Sequence, residues 1–182
     1  MRRLLPSLVL PFLICAGAQA APQRPSADQV LATAKSEAAE QHKNIFLVFG
    51  ASWCAPCHQM EKFMEDGKIR PILEKYFVMA SLSIEEEHGK HPELNTPGGE
   101  KLVADFGGQD AGVPFIVILD EQGQLLVNSN RPVKGKPNGE NVGYPALPVE
   151  IDWFIQMLRK TVPSLTEPDA HTIENWLRRA SP

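Results

Sequence analysis

The chain has 182 residues, 43% of them hydrophobic, which is enough to bury the core of one domain. Its formal net charge is −4, and this acidic balance argues against nucleic acid as a partner, which calls for a basic face. Three cysteines are too few for the dense disulfide framework of a small secreted scaffold.

The first residues read as a leader. Met1-Arg2-Arg3 is a short positive segment, Leu4 to Ile14 is apolar, and Ala18-Gln19-Ala20 has the small-x-small form of a cleavage site. A signal peptide over 1–20, cut after Ala20, is expected. The apolar run is about half the ~20 residues that a membrane span needs, and Pro6 and Pro11 interrupt it. No later run is apolar for long enough either. The expected product is a soluble exported protein, periplasmic or extracellular, with no membrane span in the mature chain. Cleavage removes Cys15 and leaves Cys54 and Cys57. A bridge between them closes so short a loop that chain entropy gains little from it, so reactivity explains the pair better than stapling.

The elements alternate. Ser26-Ala27-Asp28-Gln29 has capping-box form, and Val30, Leu31, Ala34 and Ala38 then recur at helical spacing to about Lys43. Ile45 to Phe49 is a continuous apolar run, read as a strand buried on both faces and ended by Gly50. Helices are expected over 56–65 and 69–75, and a second strand over 77–84. Residues 85–99 are polar and rich in Gly and Pro, so they read as a loop or insertion. A short helix over 100–106 precedes a turn-rich connector and a strong strand over 115–119. After a turn at 120–123, residues 125–128 return antiparallel. Residues 129–148, rich in Pro, Gly and Asn, read as irregular. Ile151, Phe154, Ile155, Leu158 and Val162 mark an amphipathic helix, with Trp153 and Phe154 most simply core. Thr166 to Asp169 can cap a last helix, with Ile173, Trp176 and Leu177 on its apolar side. Strands alternating with helices, then a hairpin, imply an α/β sandwich with a mixed sheet.

Trp53-Cys54-Ala55-Pro56-Cys57-His58 follows the buried strand and opens a helix. The free N–H groups at a helix start favour negative charge, and cysteines so placed ionise at ~3.5–7.5 rather than ~8.5. Cys54 is therefore expected to be an exposed nucleophile, and Cys57, one turn on, to face inward and act second. Pro56 suits a first turn, where its missing N–H costs nothing. His58 has two readings: a partly protonated ring that stabilises the Cys54 thiolate, or a solvent-facing helix residue. The same residues also match a c-type haem attachment sequence, with His58 and one of Met60, Met64 or Met79 as axial ligands, although the preceding strand argues against the helical haem domains.

Phe46 to Cys57 resembles the active-site segment of the thioredoxin superfamily, and Gly112-Val113-Pro114-Phe115 is similar to that family's second signature. The resemblance implies a three-layer thioredoxin-like sandwich over 21–162, with a C-terminal helical extension over 163–182. It also implies that Pro114 is cis beside the dithiol, that Val113 offers main-chain groups to a bound peptide, and that Trp53 is partly exposed beside Cys54. Exported relatives act as thiol-disulfide oxidoreductases, often reductases, on protein substrates, with a redox partner that recycles the dithiol. No cofactor or metal is implied. Two positions depart from the family pattern: Val48 stands where a buried acid is usual, six residues before Cys54, and Gly50 where an aromatic is common. A binding or assembly module without turnover is the second functional class. Glu85, Glu86, Glu87, His88 and His91 could ligate a metal, but their spacing matches no closed site and such a run is usually a solvated loop. Asn141 to Pro145 reads as a loop near the site or as plain turn chemistry.

Overall fold

The computed structural model describes residues 24–180; the leader, its cleavage point after Ala20, and Cys15 lie outside the described residues. Ser26 opens α1 (Ala27–Gln41) through the expected capping box: its hydroxyl accepts from the Gln29 N–H at 3.3 Å, and the Gln29 side chain accepts from the Ser26 N–H at 2.8 Å. Ala27, Ala34 and Ala38 are its buried residues, and side chains this small let the helix lie close to the sheet.

The sheet has four strands in the order β2-β1-β3-β4. β1 (Asn44–Gly50) pairs in parallel with β2 (Phe77–Ser83) and antiparallel with β3 (Phe115–Leu119), and β4 (Leu125–Asn128) pairs antiparallel with β3. The apolar run of β1 divides between two cores. Ile45, Leu47 and Phe49 pack with α1 and with Val103 and Phe106, while Phe46 and Val48 pack against the helices of the opposite face. Those helices are α2 (Ala55–Glu65), α3 (Arg70–Tyr76), α5 (Pro148–Thr161) and α6 (Glu167–Ala180), with α4 (Gly99–Asp105) on the α1 side. The result is the expected three-layer, thioredoxin-like α/β sandwich around a mixed sheet.

Two expectations change. Residues 129–148 are not irregular throughout, because β5 (Asn130–Val133) and β6 (Lys136–Asn141) form a separate antiparallel hairpin. Its register shifts between Arg131 and Val133, which leaves Pro132 where no ladder hydrogen bond is needed. The loop over 85–99 contains two single 3₁₀ turns, Glu86–Gly89 and Pro92–Leu94. α6 belongs to the α2 core: Ile173 and Leu177 are buried with Phe63 and Phe154, and the Trp176 ring lies 5.2 Å from that of Phe63. No helix among the described residues is long and apolar enough to cross a membrane.

Candidate active site

β1 ends at Gly50, and four residues later Cys54 caps α2. Its backbone is extended (φ −86°, ψ 108°), and its Sγ accepts from the Cys57 N–H at 3.1 Å. Pro56 occupies the first turn, where no N–H is needed. Cys54 and Cys57 are joined in a disulfide with a Cα–Cα distance of 5.2 Å. Gly50 lies against Cys57: a Cβ there would sit in ordinary van der Waals contact, 3.5 Å from the Cys57 Sγ.

Cys54 is not exposed. It is 2% accessible and Cys57 is 4% accessible, and both pack with Ala51 and the half-buried Val113. The Cys54 Sγ lies 3.5 Å from the Val113 carbonyl oxygen. The helix start directs the sulfur as expected, but the chain 59 residues further on closes over it. The Val113–Pro114 peptide bond is cis and leads directly into β3.

That covering loop has its own anchor. Asn141, at the end of β6, donates through Nδ2 to the carbonyls of Ala111 (3.2 Å), Gly112 (3.2 Å) and Pro114 (3.0 Å). Its Oδ1 accepts from the Ser129 hydroxyl at 2.7 Å and from the Gly143 N–H at 3.0 Å. Ser129 is fully buried, and its hydroxyl also accepts from the Ile116 N–H at 3.0 Å. A half-buried amide with both polar atoms engaged ties these strands and the loop together. The stretch Asn141–Pro145 thus reaches the site, as one of its two readings had it.

Trp53 is 43% exposed beside the disulfide. Its indole N–H donates to the Glu85 carbonyl at 2.7 Å, and its ring meets the His88 ring edge-on at 5.3 Å. Gly89 packs against it so closely that a Cβ would come within 2.9 Å of the indole. His58 projects from the first turn of α2 and bridges two oxygens: Nδ1 lies 3.1 Å from Glu61 Oε2, and Nε2 donates to the Ser52 carbonyl at 2.9 Å. The Glu61 carboxylate, and after it the Ser52 carbonyl, hold the imidazole pKa above its ordinary value, because both contacts favour the doubly protonated ring.

The metal candidates go to separate partners. Glu86 turns inward onto Ser52, Glu87 accepts from Asn95, His88 sits on Trp53, and His91 pairs with Glu93. Among the described residues no three His, Cys, Asp or Glu side chains converge on one point. Haem ligation fares no better: both His58 nitrogens are engaged, Met60 is fully buried, and Met64 and Met79 pack on the same core. The roles of Glu86 at Ser52 and of the Asn141 amide at the covering loop are what the sequence conceals. An acid in a run of three and an amide in a turn-rich stretch both look solvated.

The chain is similar to several solved structures. A disulphide isomerase from Xylella fastidiosa Temecula1 is 16% identical, with 95% of this chain and 98% of that chain covered and a TM-score of 0.49. A thioredoxin from Thermus thermophilus is 21% identical over 75% of this chain and 83% of its own, with a TM-score of 0.42. The C-terminal domain of DsbD from Neisseria meningitidis, in its oxidised form, is 17% identical over 74% and 98%, with a TM-score of 0.44. No curated protein matches the sequence. Residues 26–121, from the capping serine of α1 to the turn after β3, match the family described as thioredoxin-like, and the chain belongs to that family.

Proposed function

We propose that the protein is an exported thiol-disulfide oxidoreductase that acts on protein substrates, as a reductase rather than an oxidant. The observation that carries this reading is the Cys54–Cys57 pair at the head of α2, packed against the cis Val113–Pro114 segment. In the reduced protein the Cys54 thiolate attacks one sulfur of a substrate disulfide, and the other substrate sulfur leaves as a thiolate. Cys57 then gives up its proton and attacks the Cys54 sulfur. The substrate's second sulfur leaves, the substrate has gained two electrons, and the protein holds the Cys54–Cys57 disulfide. A separate dithiol partner restores the reduced pair.

The other residues have supporting roles in this reading. The Cys57 N–H, aimed at the Cys54 Sγ at 3.1 Å, stabilises the thiolate. Pro56 shapes the first turn. His58 sits on that turn, where Glu61 and then the Ser52 carbonyl raise its pKa and favour the doubly protonated ring. Trp53 and the main chain at Val113 and Pro114 form the surface that receives the substrate. Export rests on the 1–20 leader, which leaves 21–162 as the thioredoxin-like domain and 163–182 as a C-terminal helical extension, whose α6 packs on the core.

Insulin disulfide reduction tests the reading, using protein recovered from the exported fraction with its N-terminus at Ala21. Wild type is expected to turn over and Cys54→Ser to fall to background. Equal background rates in both would leave the binding-module reading standing. A reduction potential near about −270 mV fits a reductase, and one near about −120 mV an oxidant.

A further inference from the structure

Glu86 is the buried charged side chain among the described residues, 1% exposed, and the exchange chemistry above gives it no role. It lies in the first 3₁₀ turn of the 85–99 segment. Its Oε1 accepts from the Ser52 N–H at 2.9 Å and its Oε2 from the Ser52 hydroxyl at 2.6 Å. Its own N–H donates to the Asn95 Oδ1 at 3.1 Å, which ties the two 3₁₀ turns together. Next in the chain, Trp53 donates to the Glu85 carbonyl. The segment is therefore fastened to the two residues that precede Cys54.

A carboxylate is an expensive way to make such a fastening. Burying one costs free energy that neutral acceptors do not incur, even when both oxygens are bonded. What the charge adds is a field on the dithiol. Glu86 and Cys57 line one cavity of about 410 Å³ between α2 and β2, together with Ser52 and Met60. The other charged side chains on that cavity are Arg24, His58, Glu61 and Glu65. His58 has Glu61 as its close counter-charge, and Arg24 donates to the Leu94 carbonyl. A buried negative charge near a thiol disfavours the thiolate and so favours the disulfide over the reduced pair.

We propose that Glu86 is a positioning residue that holds Ser52 and Trp53 ahead of the dithiol, and that its charge makes the Cys54–Cys57 pair a stronger reductant. The proposal rests on the thiol-disulfide reading and deepens it, because it supplies a structural reason for the direction of electron flow. The charge acts on the reduced state, in which each cysteine has gained an electron and one sulfur is a thiolate.

Two variants separate fastening from charge. Glu86→Gln keeps an acceptor for the Ser52 N–H and offers a donor to a hydroxyl that can rotate to accept. Glu86→Ala removes both bonds. The readouts are the equilibrium with reduced and oxidised glutathione, and tryptic cleavage after the exposed Lys90. Glu86→Gln is expected to resist cleavage like wild type and to shift the equilibrium about fivefold toward the dithiol, which is about 20 mV at 30 mV per tenfold. Glu86→Ala is expected to be cleaved faster after Lys90. A wild-type equilibrium in Glu86→Gln overturns the charge assignment, as does a shift that comes with cleavage like that of Glu86→Ala. Wild-type protection in Glu86→Ala overturns the positioning role. Wild type that never equilibrates with glutathione sinks the thiol-disulfide reading itself and takes this proposal with it.

Discussion

The 85–99 segment and α6 both lie outside the sheet and its nearest helices, and they are attached by opposite means. The first buries only Glu86 and Gly99, and directional polar contacts to Ser52 and Trp53 hold it. The second buries Ala170, and packs Ile173 and Leu177 in one core with Phe63 and Phe154, with Asp169 clasped by the Lys75 ammonium at 2.8 Å and the Tyr76 hydroxyl at 2.6 Å. Apolar burial scales with area and is indifferent to direction, so it supports the whole fold. Hydrogen bonds fix particular atoms: those of Glu85 and Glu86 end at Trp53 and Ser52, within two residues of Cys54, while Thr96 and Pro97 are tied to Ser83 and Ala27. Asn141 belongs with the polar group: it fixes three carbonyls around the Val113–Pro114 bond.

The contrast breaks if apolar and polar lesions have the same signature. Leu177→Ala should have the largest effect on stability, about 2–5 kcal/mol in urea unfolding, since a fully buried leucine leaves a cavity. The glutathione equilibrium of the folded variant should equal that of wild type, and a shifted one would show that α6 reaches the dithiol after all. Asn141→Asp comes next. It faces three carbonyl oxygens with a carboxylate in place of a donor, at a cost of about 1–3 kcal/mol. Its distinguishing mark is a raised KM for a protein substrate with an unchanged reduction potential. An unchanged KM would mean that the covering loop keeps its shape without the amide.

The smallest effect concerns Asp169. The hydrogen bond from Lys75, then that from Tyr76, lowers its pKa from 3.8 to about 2. A folded-state pKa below the unfolded one stabilises the protein above the unfolded value, and that stability is lost as pH falls from about 4 through about 2. Allowing for solvent screening of this surface pair, Asp169→Asn should cost about 1 kcal/mol at pH 7. The difference from wild type should vanish near pH 2. A difference that persists there would assign the loss to packing rather than to charge.

The sequence is most readable where one physical rule dominates. The run Phe115–Leu119 has no polar face, so a strand buried on both sides is its only economical placement, and β3 has those bounds. Ser26 and Gln29 satisfy each other within one turn, so the start of α1 is a local matter. The motif at Cys54 is local too, and the head of α2 lies where the helix rules put it. Legibility ends where distant segments meet. The β5–β6 hairpin has no apolar face, and Pro132 and Pro137 argue against strands, yet its backbone pairs around a bulge. The exposure of Cys54 depends on Val113, and the burial of Glu86 on Ser52. Neither contact leaves a mark in the short stretches that contain these residues, because each partner satisfies a need that only folding creates.

The covered sulfur has a kinetic meaning. At 2% accessibility, Cys54 in the disulfide offers almost no surface to a molecule in solution, while Trp53 next to it stands open. A molecule that approaches the pair therefore meets the exposed indole before the sulfur. Gly112 allows the turn of the covering segment, with φ +73°, and its carbonyl accepts from Asn141 at 3.2 Å. Under the exchange reading proposed above, a partner that can engage the indole gains an advantage over a small free thiol.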